Sequence, residues 1–156
     1  MIRYFNSPGV TLIISFSDCS HGFSKFGDNC YGFIRKSLTW SEAQNSCGSL
    51  YNGFLAEPVT EDENVFIVGL VRSNGGGDVW LGGSDHEREG TWIWTHSGMR
   101  FNWGYTNWAS GQPDNGHNGD CLQLWSRRQY SWDDDVCSSK AHFVCQSPLS
   151  EQITVE

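Results

Sequence analysis

The sequence predicts a single α+β domain stapled by disulfides, and three observations predict it. Two threonine-led capping boxes open helical runs early in the chain, and short β-prone runs broken by glycine, asparagine and aspartate fill the rest. Six cysteines stand at 19, 30, 47, 121, 137 and 145. The 156 residues fit one domain, long enough to bury a core of its own.

Taken in order, residues 1–17 fit an export signal. Arg3 supplies the charge, Val10 to Phe16 a short apolar run, and Ser15-Phe16-Ser17 small residues at both cleavage positions before Asp18, although Pro8-Gly9 interrupt what should be a helical core. After a hairpin-like stretch from Cys19 to Cys30, Tyr31 to Ile34 reads as a strand. Thr39-Trp40-Ser41-Glu42 is a capping box, which satisfies orphan N–H groups at a helix start. That helix is expected to reach about Cys47, with Trp40, Ala43 and Cys47 on one face. Thr60-Glu61-Asp62-Glu63 opens a second helix that points Phe66, Ile67, Leu70 and Val71 inward, and Asn74-Gly75-Gly76-Gly77 ends it.

Strands are expected at Val79–Leu81, Thr91–Thr95, Cys121–Trp125, Tyr130–Trp132 and Ala141–Gln146. Trp80, Trp92, Trp94 and Trp132 sit on these strands and are expected in the core. Between Gly98 and Gly119 runs a long aperiodic stretch, a length that in compact domains is usually functional. Residues 148–156 form a short tail. No segment approaches the roughly 20 apolar residues needed to cross a bilayer, and no Asn-x-Ser/Thr sequon occurs.

Eighteen acidic against ten basic residues give a net charge of -8, which argues against binding a nucleic-acid backbone. The cysteines form no Cys-x-x-Cys pair and no zinc-type spacing, so a disulfide framework in an oxidising, extracellular compartment is the better reading. Six cysteines leave fifteen pairings open. His21, His86, His96 and His142 have no partner at catalytic spacing, and no nucleophile stands beside a base, so no enzyme is expected.

The chemistry concentrates in Gln112-Pro113-Asp114 and Trp132-Asp133-Asp134, framed by Cys121 and Cys137. Side-chain oxygens from amides and carboxylates are what a hard cation such as Ca2+ selects. Together with Trp80-Leu81-Gly82-Gly83 and the six cysteines, this constellation resembles the long-form C-type lectin domain over about residues 19 to 147. Its Gln-Pro-Asp triplet resembles the galactose-type branch. The resemblance implies two helices, a twisted antiparallel sheet and a long calcium-binding loop. It also implies the pairs Cys19–Cys30, Cys47–Cys145 and Cys121–Cys137, and a cis bond before Pro113.

Gln112, Asp114, Asp133 and Asp134, with the Asp134 carbonyl, would offer five oxygens to calcium, leaving about two positions for water or sugar hydroxyls. A ligating glutamine still donates two N–H bonds, whereas a ligating aspartate only accepts. The order Gln-Pro-Asp therefore implies galactose or N-acetylgalactosamine, with mannose-type sugars second. The carbohydrate contacts expected are Gln112, Asp114, His117, Asp133 and Asp134. An auxiliary calcium site is implied at Asp85, Glu89, Asn115 and Asp120.

The match has departures. Gly119 stands where the family carries a glutamate, the loop from Gln112 to Cys121 is one residue short, and Asp133 replaces an asparagine. Asp120 is expected to move inward in place of the missing glutamate. The resemblance thus implies a secreted, calcium-dependent lectin of innate glycan recognition, able to gain avidity as a homo-oligomer. The alternative is a calcium-independent module of the same fold that binds protein or mineral.

Overall fold

The computed structural model describes residues 2–16, 18–20, 22–114 and 118–156. His117 and Asn115, expected at the sugar and the auxiliary site, lie outside the described residues. Two α-helices, two short 3-10 turns and two sheets are formed among the described residues.

The main sheet runs β3 (Ser24–Phe26), β4 (Asn29–Leu38), β10 (Ala141–Pro148), β6 (Val79–Ser84), β8 (Cys121–Trp125) and β9 (Ser131–Asp135), with β5 (Phe54–Leu55) on β10 and β7 (Ile93–Trp94) on β6. Its pairings are antiparallel apart from β10 with β6, where His142 and Phe143 align in parallel with Val79 and Trp80. The expected antiparallel sheet thus forms with one parallel pair in it. The chain enters β6 after the α2 crossover and enters β10 from β9, so the two neighbours run the same way.

Both capping boxes form. Thr39 and Glu42 exchange bonds at the start of α1 (Trp40–Tyr51), and Thr60 and Glu63 do so at α2 (Glu61–Ser73). Helix α1 runs one turn past the expected Cys47 and stops at Asn52, whose φ of 50° is left-handed. Asparagine tolerates that region better than most side chains. Its buried residues are Ala43 and Cys47, while Trp40 is half-buried and donates from Nε1 to the Leu81 carbonyl at 2.9 Å. On α2, Ile67 and Val71 are buried and Phe66 and Leu70 pack at the margin.

Trp80, Trp94 and Trp132 are among the largest fully buried side chains, and Trp92 is buried beside them. Trp94 meets Trp132 edge-on at 5.5 Å, a geometry that ring quadrupoles favour. Trp103 is exposed, whereas Trp108 is half-buried against Trp92 and Trp132. The disulfides join Cys19 to Cys30, Cys47 to Cys145 and Cys121 to Cys137. The bridge spanning 98 residues restricts the unfolded chain most, worth about 4–5 kcal/mol by loop entropy.

The ends of the chain form a second sheet. Strands β1 (Ile2–Ser7) and β2 (Val10–Phe16) make a hairpin across Pro8-Gly9, and β11 (Glu151–Val155) pairs along β2. The stretch expected as an export signal and the expected tail are thus extended here. Val10, Thr11, Ile13 and Ile14 are β-branched, which suits a pleated strand. No helix among the described residues is long and apolar enough to cross a membrane.

Candidate functional site

Strands β6, β8 and β9 end together at one edge of the main sheet, and the candidate residues gather there. Ser84 pairs with Cys121, and Cys121 with Asp135, so the end of β6, the start of β8 and the end of β9 are adjacent. The Cys121–Cys137 bridge staples the same edge. The loop carrying Gln112 is strapped onto β9: Trp132 N donates to Asn107 O at 2.7 Å, Ala109 N to Trp132 O at 2.8 Å, and Gln112 N to Ala109 O at 2.9 Å.

The Gln112–Pro113 bond is cis. The backbone amide of Asp114 then donates to Gln112 Oε1 at 3.0 Å and to Asp134 Oδ1 at 3.1 Å. One N–H group thus draws together two oxygens that are twenty-two residues apart in sequence. Asp133 is held differently. Its Oδ2 accepts from Gln123 Nε2 at 2.9 Å, inside the sheet. Burial raises the Asp133 carboxyl above its ordinary range, the Gln123 bond opposes this, and the charges of Asp134, Asp135 and Asp114 add to the rise. Gln123 was not a sequence candidate, and only its register opposite Asp133 reveals it.

Gly119 is buried under Asp134. A Cβ at this position would stand 2.8 Å from Asp134 Oδ2 and 3.3 Å from the Asp134 carbonyl oxygen. The missing glutamate therefore leaves its place to Asp134 itself. Asp120 does not substitute for it, contrary to expectation. Asp85 N donates to the Asp120 carbonyl at 3.2 Å, and the Asp120 carboxylate joins Asp85 and Glu89. The β6–β8 register fixes that placement, because Asp120 precedes the paired Cys121.

In this second cluster one carboxylate oxygen each from Asp85, Glu89 and Asp120 lies within 4.8 Å of the others. Asp85 is buried, with Oδ2 accepting from Gly90 N at 2.9 Å and Oδ1 without a hydrogen-bond partner among the described residues. Burial raises its carboxyl, the Gly90 bond lowers it, and the Glu89 and Asp120 charges raise it. His86 Nδ1 stands 3.6 Å from Asp120 Oδ2. A buried orphan carboxylate oxygen facing two further carboxylates suits a hard cation, which takes oxygen ligands without demanding one geometry. The structure brings Asp85, Glu89 and Asp120 together, and the fourth residue expected there, Asn115, lies outside the described residues.

A cavity of about 400 Å³ adjoins the first cluster, lined by Trp92, Arg100, Phe101, Asn102, Trp108 and Pro113 among others. It puts polar and aromatic surface beside the triplet.

The chain matches the family described as Lectin C-type domain over residues 36–147. It belongs to the C-type lectin domain family. Lithostathine-1 of Mus musculus is 34% identical over 131 residues, covering 82% of this chain and 78% of its own. The galactose-specific lectin nattectin of Thalassophryne nattereri is 31% identical over 135 residues, covering 85% and 82%. A solved structure described as a calcium-independent type II antifreeze protein superposes with a TM-score of 0.76 at 25% identity, over 87% of this chain and 98% of that one. The family is a lectin domain and not an enzyme class. C-type lectin domains often bind calcium, and this lectin domain has neighbours of both kinds.

Proposed function

We propose that this lectin domain binds carbohydrate in a calcium-dependent manner, with galactose-type sugars preferred. The observation that carries the reading is the Asp114 amide, which gathers Gln112 Oε1 and Asp134 Oδ1 onto one point. Gln112, Asp114 and Asp134 would hold the ion, with Asp133 contributing through Oδ1. A bound calcium would supply open coordination positions for sugar hydroxyls. The amide nitrogen of Gln112 has no protein acceptor among the described residues and is placed to donate to a sugar hydroxyl. Asp133 only accepts, and its Oδ2 is already committed to Gln123. Asp85, Glu89 and Asp120 would hold a second ion that stiffens the loop edge, with Asn115 as an additional ligand and His117 as a sugar contact.

Likeness to a galactose-specific lectin supports the sugar class. Secretion into an oxidising compartment, with export directed by residues 1–17, follows from the three disulfides and the apolar run before Asp18. A role in innate glycan recognition, with avidity from self-association, belongs to the same proposal. Retention on galactose-agarose in calcium, with release by EGTA, is the expected result. Retention that EGTA does not touch, or no retention, would reject it.

A second reading rests on Gly119. Gly119 supplies no side-chain oxygen where the family carries a glutamate, and the Asp133 carboxylate that replaces an asparagine is already bonded to Gln123, as befits a calcium-independent module for protein or mineral. Unchanged thermal stability on adding calcium, together with no sugar retention, would favour that module.

A further inference from the structure

The lectin domain is polarised along its strands. Asp85, Glu89, Asp114, Asp120 and Asp133–Asp135 lie at one end of β6, β8 and β9. At the other end, past Val79, Trp125 and Ser131, stand Arg35, Arg72, Arg127 and Arg128, four of the ten basic residues of the chain. At about 3.3 Å per residue, the six residues of β6 separate the two poles by about 17 Å, beyond the screening length at physiological salt.

Direct contacts tie the arginines into one surface. Arg35 Nη2 donates to the Asn74 carbonyl at the end of α2. The next turn brings Gly76 so close to the Tyr130 hydroxyl that a Cβ there would collide with it. Arg72 lies over the Tyr130 ring with Cζ 5.4 Å from its centroid. Tyr130 N donates to Trp125 O at 3.0 Å, and Arg128 lies over the Trp125 ring at 5.4 Å. Arg127 is exposed on the same short 3-10 turn, Ser126–Arg128. Among the described residues, none of these four guanidinium groups has a carboxylate within ion-pairing distance. Asp78 accepts at Oδ1 from the Ser126 amide and hydroxyl at 2.9 and 2.7 Å, so it braces the turn, while Glu61 lines a surface cavity with Arg72 and Gln129 without pairing with the arginine.

We propose that this pole is a second, calcium-independent binding surface for sulfated polysaccharide. A guanidinium lying on an aromatic ring is fixed in orientation while its in-plane N–H groups stay free, so little freedom is lost when it binds an oxyanion. Sulfate esters present the planar-fork acceptors that such groups match, two at a time. The pole is small and the rest of the molecule is acidic, which excludes a long stiff polyanion or a flat anionic membrane but admits a flexible chain that touches the pole alone. Arginine lies over one face of each ring, which lowers the stacking surface offered to nucleobases. The surface lies opposite the calcium edge, and this inference does not depend on the sugar reading given above.

The test is heparin-agarose chromatography in EGTA, with salt elution. The wild-type chain is expected to be retained at low salt. The double change Arg127→Ala with Arg128→Ala is expected to weaken binding about tenfold, on the scale of one or two lost charge-assisted contacts. Arg72→Lys keeps the charge but loses the planar fork and its stacking, and it is expected to elute earlier than wild type. The remote Lys25→Ala, which removes a charge away from the pole, is expected to elute with wild type. Flow-through of the wild type, or unchanged elution of the double variant, would overturn the proposal. So would equal competition, charge for charge, by duplex DNA.

Discussion

The indole N–H of Trp132 donates to Oδ1 of Asn64 at 2.9 Å, joining the strand that carries Asp133 and Asp134 to helix α2. Both side chains are buried, and Trp132 backbone groups also strap the Gln112 loop. Asn64→Leu would leave the indole donor without a partner, which costs about 1–3 kcal/mol. Urea unfolding should show a lower midpoint with an unchanged m-value, since the surface exposed on unfolding hardly changes.

Calcium should raise the melting temperature, because an ion that binds only the folded state stabilises it by mass action, about 2.7 kcal/mol at a hundred times Kd. Asp134→Ala is expected to remove most of this response, since its carboxylate is held by Asp114 N at the centre of the first cluster. Asp85→Ala is expected to leave part of it. Differential scanning calorimetry with and without calcium checks both. A full response in Asp134→Ala would move the principal ion elsewhere.

Selectivity should follow the triplet. Exchanging donor and acceptor with Gln112→Glu and Asp114→Asn is expected to shift glycan-array preference from galactose towards mannose. Adding Asp133→Asn supplies a donor and should strengthen binding of either sugar by about 1 kcal/mol, one net hydrogen bond. Identical arrays for wild type and double variant would mean that the triplet does not read sugar.

Glu57 gives a pH signature away from either carboxylate cluster. It is buried, with its carboxylate accepting from His96 N at 2.7 Å and Ser97 N at 3.2 Å. Burial nevertheless leaves its carboxyl above the ordinary value of 4.5. The folded state therefore binds this proton more tightly than the unfolded chain, and the contribution of Glu57 to stability falls as pH rises from 4.5 through the folded value. Glu57→Gln removes that titration, so its stability relative to wild type should rise with pH across this window. A difference flat in pH would contradict the burial argument.

The terminal sheet should be dispensable. Every residue of β1 and β11 is exposed, and Tyr4, Ile153 and Val155 are each more than 60% exposed. A chain beginning at Asp18 should therefore keep the three disulfides and the same calcium response, with a melting temperature within a few degrees of the longer chain. N-terminal sequencing of the exported protein shows whether cleavage produces that form. A large loss of stability would make the sheet part of the core.

Much of this protein was legible without coordinates. The capping boxes at Thr39 and Thr60 satisfy backbone groups three residues away, so they act within a single turn and their sequence is enough. The tryptophans of β6, β7 and β9 stand at alternating positions of β-prone runs, where a large ring stabilises by burial, and that pattern is readable before its neighbours are known; Trp103, outside such a run, is exposed. The oxygen-bearing side chains at 112, 114 and 134 were equally plain, since oxygen chemistry belongs to the residue. Which oxygens meet was decided by register and by loop anchoring. Asp120 turns to Asp85 and Glu89 because Cys121 pairs with Ser84, and Asp133 is tied inward because Gln123 lies opposite it. The terminal strands and the arginine pole arise from partners far apart in the chain, such as Ile14 with Ile153 or Arg35 with Asn74. Local propensity carries no record of such meetings. They exist only once burial of the common core has brought distant strands side by side.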